Sequence, residues 1–218
     1  VEGLIKEFGV KLKYVGLENL PKEGRFIYIA NHPQGAIDAI SYLYSIHKHL
    51  GDVVSPSNEI FEHIPNLSPF IIGINVFGTN TKDKIKIVND AFAGNRPIML
   101  FPSGEVSRKF KNGIIEDPEW HKTFVTKAIE SKRDIVPCFI TGRNSNRFYR
   151  IAKWRKFFRI KTYLETLFLP DELIKQFGSE ITFVFGKPIS YLSLDKSKSH
   201  NEWTSEIRKM VYDYKNLL

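Results

Sequence analysis

Short, solidly apolar runs alternate with stretches of helical period along this chain. Residues 25–31 (RFIYIAN) read as a buried strand. A helix is expected over 36–50, with Ile37, Ile40, Leu43 and Tyr44 recurring at helical spacing and Gly51 as its stop. Residues 52–55 and 75–77 are short strand candidates. Residues 82–93 read as a second helix, with Ile85, Val88 and Phe92 on one face and Gly94 closing it. Residues 97–101 (PIMLF) form another apolar strand, and 120–132 a third helix carrying Trp120, Phe124, Ala128 and Ile129. Strands follow at 135–140 and 181–185. The last helix opens on a capping box, Ser199 with Glu202, and carries a stripe through Trp203, Ile207, Met210, Val211 and Tyr214.

Strands that are apolar on both faces need cover on both faces. The alternation therefore predicts an α/β fold, a largely parallel sheet covered by helices on both faces. The 218 residues suit a single domain over 1–218, with no internal repeat or low-complexity linker. In such sheets ligands bind beyond the carboxyl ends of the strands, so residues just after a strand carry the functional expectation.

Apolar residues make up 42% and charged residues 26%, the balance of a folded globular chain. No run reaches the ~18 apolar residues of a spanning helix; the longest, 69–77, is broken by Gly73 and Asn75. No secretory signal opens the chain, and whether an anchor precedes Val1 stays open. The expected place of action is the cytoplasmic side of a membrane, peripherally. Cys138 is the one cysteine, which excludes an internal disulfide and fits a reducing compartment. It lies in an apolar run with no adjacent cation, as a small buried hydrophobe does.

The net charge of +8 is localised. Eight basic residues, Arg143, Arg147, Arg150, Lys153, Arg155, Lys156, Arg159 and Lys161, fall within 143–161 without one acidic residue. With these eight of 32 basic residues set aside, the remaining 24 balance the 24 acidic ones. Aromatics are interleaved. As a helix, Phe148, Ile151, Ala152 and Phe158 share one stripe, while Arg147, Arg150 and Lys153 lie opposite with Trp154 and Phe157 among them. This basic aromatic insert reads as a surface patch for an anionic membrane. A solvated helix with inward aromatics is the plainer alternative. A nucleic-acid partner is not expected, because no recognisable binding motif accompanies the charge.

Two motifs could carry chemistry. In Asn31-His32-Pro33-Gln34-Gly35-Ala36-Ile37-Asp38, a histidine follows a strand and an aspartate sits six residues on, inside the next helix. The turn can fold the carboxylate back onto the imidazole. A carboxylate on Nδ1–H fixes the tautomer and leaves Nε2 to accept a proton, as a general base must. A helix-capping Asp beside a turn histidine is the simpler alternative. In Phe101-Pro102-Ser103-Gly104-Glu105-Val106-Ser107-Arg108, Gly104 permits close backbone approach, and its neighbouring N–H groups are candidate oxyanion donors. Arg108 is a candidate grip for a phosphate or carboxylate, though an exposed loop ion pair with Glu105 is the alternative. Ser103 lacks a G-x-S-x-G elbow and is not expected as a nucleophile. His47 and His49 sit two apart on a predicted helix and cannot share a face, and His63, His121 and His200 have no ligand-spaced partners, so all five read as surface or core residues.

Taken in order with 136–142 (VPCFITG) and 185–189 (FGKPI), these segments resemble the lysophospholipid acyltransferase family, whose best-known members acylate lysophosphatidic acid (1-acylglycerol-3-phosphate). Residues 31–38 are similar to its N-H-x4-D block and 101–108 to its F-P-E-G-T-R-S block, and the resemblance spans about 26–189. It implies a His32 base oriented by Asp38, and an acyl-CoA or acyl-carrier-protein co-substrate with no further cofactor. It also implies a lipid-like acceptor bound near Asn31, Thr79, Ser103, Gly104, Glu105 and Arg108. The sequence departs from the pattern where Ser103 replaces the usual Glu and where Thr79 stands at the usual phosphate-binding Arg. The wording FPSGEVSR is closer to a hemolysin-like branch, some of whose members resemble enzymes acylating amino-acid lipids. Acceptors left open are a lysophospholipid hydroxyl, an amine or hydroxyl of an amino-acid lipid, and, for a non-catalytic relative, a lipid that is only bound.

Overall fold

The computed structural model describes residues 2–75, 79–160 and 164–218, apart from the side chain of Lys156. The elements run α1 (Glu2–Phe8), β1 (Lys11–Val15), β2 (Phe26–Ala30), α2 (Ala36–Leu50), β3 (Ser55–Asn58), β4 (Ile71–Ile74), α3 (Lys82–Ala93), β5 (Ile98–Leu100), β6 (Arg108–Lys109), β7 (Ile115–Glu116), α4 (Thr123–Ser131), β8 (Asp134–Ile140), α5 (Asn146–Phe157), α6 (Leu169–Lys175), β9 (Glu180–Phe185) and α7 (His200–Asp213). The predicted ends of α2, α3 and α7 agree closely with these. Gly51 closes α2 in the left-handed conformation, and Ser199 and Glu202 form the expected capping box. Residues 120–122 lie outside α4, which begins at Thr123.

Five strands make the central sheet, in the order β1-β9-β8-β2-β5. All neighbours are parallel except β8 and β9. The expected α/β fold with a largely parallel sheet is therefore present, with one antiparallel junction that the apolar runs did not signal. Strand β1 was missed because Lys11-Leu12-Lys13-Tyr14-Val15 alternates polar and apolar, as an edge strand does. The candidate at 52–55 is shifted: only Val54 bridges to Ile98, and β3 pairs with β4 in a separate parallel ribbon. At 75–77, Asn75 is not in a strand, and Val76 and Phe77 lie outside the described residues.

Side-chain alternation divides the core into two layers. Tyr28, Ala30, Met99, Val136, Cys138 and Ile140 face Ile37, Tyr42, Leu43 and Ile46 of α2. Ile27, Ile29, Ile98 and Ile135 face Phe92 of α3, Phe124 and Val125 of α4, and Ile207 and Val211 of α7. Each fully buried Ile or Val contributes roughly 1.5–3 kcal/mol. Cys138 belongs to the first layer, and burial pushes its thiol well above the ordinary range, so it is packing material.

Because β8, β2 and β5 run parallel and adjacent, their carboxyl ends share one edge. His32 lies two residues beyond β2, Phe101 one beyond β5, and Thr141 one beyond β8. At the opposite end of this layer a charged residue holds the frame. The fully buried Arg133 donates to the carbonyls of Phe92, Phe26, Arg96, Ala91 and Gly94. It thereby satisfies the C-terminal carbonyls of α3 and ties them to the starts of β2 and β5. Burial, with Arg25 nearby, pushes the guanidinium down to about 10, which leaves it charged at neutral pH. Arg133→Met strands several buried carbonyls, each costing ~1–3 kcal/mol. A loss of about 3 kcal/mol or more is expected in urea unfolding monitored by circular dichroism; a loss under 1 kcal/mol contradicts this role.

Candidate active site

At the shared edge, the imidazole of His32 and the carboxylate of Asp38 meet. His32 Nδ1 lies 3.2 Å from Asp38 Oδ2, so Nδ1–H donates and Nε2 is the nitrogen left for chemistry. Asp38 is fully buried. Its charge is compensated by backbone N–H groups at the start of α2: Gln34 N donates to Oδ2 at 2.9 Å, and Gly35 N and Ala39 N donate to Oδ1 at 2.8 and 2.9 Å. The positive end of the helix macrodipole acts in the same sense. Gly35 makes the turn at φ 111°, where a Cβ would press on Leu169 and Val106.

The His32 ring stacks on Phe101, with centroids 4.0 Å apart and planes 18° apart, and 16% of its side chain stays exposed. Burial disfavours its protonated form. The charge and hydrogen bond of Asp38, and then the charge of Asp117, outweigh this and raise its pKa above the ordinary value, against a smaller opposing push from Arg108.

Asp117 is the residue the sequence reading missed. Its fully buried carboxylate accepts from His32 N at 3.1 Å on both oxygens, from Ser107 Oγ at 2.6 Å and from Trp120 Nε1 at 3.0 Å. The available signal was the Asn112-Gly113 dipeptide, a hairpin marker. The β6–β7 hairpin pairs Arg108 with Glu116 and Lys109 with Ile115, and the same register continued sets Ser107 opposite Asp117.

The remaining motif residues fall into different positions. Asn31 is buried, and its amide joins β2 to β8, accepting from Ile140 N at 2.7 Å and donating to Ile140 O at 2.9 Å. Both ends of that amide are engaged in holding the sheet. Ser103 is buried, and its hydroxyl donates to Glu105 O at 2.6 Å within the turn. Gly104 is exposed at φ 64°, and its own N–H closes the turn onto Phe101 O. Glu105 meets Arg108 at 3.2 Å. Arg108 also meets the buried Glu165 at 3.3 Å, and Glu165 meets Arg155 at 2.9 Å. The pair expected on an exposed loop is thus part of a buried ionic chain, with Arg108 only 7% exposed. Glu165, another omission, was visible only as a lone acid in an apolar run. Thr79 is exposed ahead of α3.

An apolar slot of about 40 Å³ opens beside the first turns of α2, lined by Ala36, Ala39, Ile40, Leu43, Phe61 and Met99. A larger, shallower cavity of about 510 Å³ lies by Arg25, Asn89 and Lys132, at the opposite end of β2 from His32. Among the described residues, no three His, Cys, Asp or Glu side chains are arranged to hold a metal ion.

The basic insert is a helix over most of its length. Phe148, Tyr149 and Ala152 of α5 are buried, Arg150 and Lys153 are exposed, and Arg147 pairs with Asp171. Trp154, Phe157 and Phe158 are 68%, 78% and 65% exposed. Phe158 was expected on the inward stripe. It lies outward because α5 ends at Phe157 and Arg159 reverses the chain at φ 54°. Lys161 lies outside the described residues. Among the described residues no helix is long and apolar enough to cross a membrane.

Comparison with known proteins identifies the family. The chain is 37% identical over 213 residues to the lyso-glycine lipid O-acyltransferase of Bacteroides thetaiotaomicron, covering 97% of this chain and 78% of that protein. It is 38% identical to the protein of the same name from Phocaeicola vulgatus, covering 97% and 76%. The crystal structure of the 1-acyl-sn-glycerophosphate (LPA) acyltransferase PlsC from Thermotoga maritima shares the fold, with a TM-score of 0.57 at 14% identity over 95% of this chain and 77% of that one. The family model described as acyltransferase matches residues 1–218, and the chain belongs to the acyltransferase family, of the lysophospholipid acyltransferase kind.

Proposed function

We propose that this acyltransferase moves a fatty acyl group from a thioester, carried by coenzyme A or acyl-carrier protein, to the hydroxyl of a lysolipid with an amino-acid head group. The observation that carries the reading is the His32–Asp38 pair at the strand edge. The acceptor hydroxyl attacks the thioester carbonyl carbon while its proton passes to His32 Nε2. The tetrahedral intermediate then collapses, the C–S bond breaks, and the departing thiolate takes a proton from the imidazolium. Thioesters are activated enough that no covalent enzyme intermediate is needed. Asp38 holds the tautomer and stabilises the transient imidazolium. The apolar slot beside Ala36 and Ala39 is the natural start of a path for the alkyl chain, with Met99 and Phe61 as its walls.

The acceptor assignment refines the sequence expectation, in which a lysophospholipid came first and an amino-acid lipid second. Two considerations favour the latter. The similar proteins are named for a lyso-glycine lipid. Here Thr79 stands where a phosphate-binding Arg is usual, and Arg108 lies between Glu105 and Glu165. The enzyme works at a membrane surface. Trp154, Phe157 and Phe158 enter the interface of an anionic leaflet, while Arg150, Lys153 and Arg159 meet its head groups, each contributing ~1 kcal/mol.

Three measurements test this. With acyl-CoA or acyl-carrier protein and a panel of lysolipids, free thiol should appear in an acceptor-dependent way, and His32→Ala should lower its rate by ~10²–10⁴-fold with the fold intact. A folded variant that keeps most of its rate would falsify the base assignment. His32 must be neutral to accept a proton, so kcat/KM rises with pH through its pKa. That limb should lie above the ~6.5 of a free imidazole, and Asp38→Asn should move it to lower pH, because burial then acts with less opposition. A limb that Asp38→Asn leaves in place contradicts the pairing. In flotation, binding should grow with anionic lipid, fall with salt, and drop in Trp154→Ala/Phe157→Ala; equal binding to neutral vesicles removes the electrostatic account.

A further inference from the structure

Asp117 is the one fully buried carboxylate among the described residues that touches both motif loops, and the transfer chemistry leaves it without a task. Its two oxygens take the main-chain N–H of His32, the hydroxyl of Ser107 and the indole N–H of Trp120. Ser107 N in turn donates to His32 O at 2.7 Å, so the two loops close on each other around this carboxylate. The far side is fixed by α7: Tyr212 Oη accepts from Asp117 N at 2.7 Å, and Arg208 donates to Asp117 O at 2.9 Å and to Glu116 at 3.1 Å. A buried charge surrounded by donors from two loops and a distant helix is more than packing requires. An uncharged residue would fill the space at lower desolvation cost.

We infer that Asp117 is a positioning residue for acyl transfer: its carboxylate grips the main chain of His32 and so sets where the imidazole stands. This rests on the assignment of His32 as the base. The gripped side chain is the one whose ring must meet the acceptor hydroxyl within hydrogen-bond reach, and small misplacement at such a site costs a large share of the rate. Three charged groups act on His32: Asp38 and Asp117 favour the imidazolium and Arg108 opposes it, itself paired with Glu105 and Glu165. Burial raises the Asp117 carboxyl above its ordinary value, and the donors from Ser107, Trp120 and His32 offset only part of that rise.

Asp117→Asn preserves shape, removes the charge and turns one N–H₂ towards donors. Expected is a fall in kcat of ~10–100-fold with KM within about twofold. The acid limb of kcat/KM should shift to lower pH, since one of the two charges that raise the His32 pKa is gone. A merely structural role predicts activity lost in proportion to the folded fraction, with the limb unmoved; that result, or a wild-type kcat, overturns the inference. Should the Asn variant fail to fold, Ser107→Ala serves. It removes one donor and keeps the carboxylate, so kcat should fall several-fold at unchanged limb position and thermal midpoint. A wild-type kcat in Ser107→Ala then overturns the positioning role. Failure of the base assignment is distinguishable, since it shows as an active His32→Ala, whereas failure here leaves His32→Ala inactive.

Discussion

The buried carboxylate of Asp38 is the constraint on which the site depends. A bare carboxylate in an apolar core is costly by several kcal/mol or more. Here three main-chain N–H groups at the mouth of α2 take up its charge, and the imidazole of His32 supplies a fourth donor. The capping and catalytic readings of this aspartate thus describe one object. The helix start makes the charge tolerable, and the charge makes the imidazole a stronger base with a defined tautomer.

The sheet supplies the rest of the order. Because β8, β2 and β5 are parallel neighbours, the segments that follow them emerge side by side, and His32 stacks on Phe101 without any long-range loop excursion. The short β6–β7 hairpin then returns the chain so that Asp117 faces Ser107, and α7 closes the assembly from behind through Tyr212 and Arg208. On the other side, Arg108 is bound through Glu165 to Arg155 of α5. The helix that bears the exposed Trp154 and Phe157 is therefore joined to the loop at 101–108 by buried ionic contacts.

Local physics made much of this legible. The apolar runs of β2, β5, β8 and β9 and the periodic faces of α2, α3 and α7 followed from burial on two sides or one. Gly51 and the Ser199–Glu202 box marked ends because their backbone requirements are local. The pairing of His32 with Asp38 was within reach, since only one turn separates them. What escaped was amphipathic or long-range. Strand β1 alternates because it lies at an edge, and Arg133 looks like any surface arginine until five carbonyls converge on it. Asn31 reads as a substrate group from its neighbours, but its amide matches the backbone spacing of the adjacent strand.

By itself, then, the sequence determined the fold class and the strand edge at which His32 and Asp38 meet, because each depends on contacts within a few residues or on which faces are buried. Only the tertiary structure decided which polar residues gather around His32 and which tie the strands together. Asp117, Glu165, Arg108 and Asn31 each have a partner from about 10 to more than 100 positions away. A charge acquires its meaning from what stands opposite it, and that is set by how the strands are ordered and by the β6–β7 hairpin that returns the chain to His32.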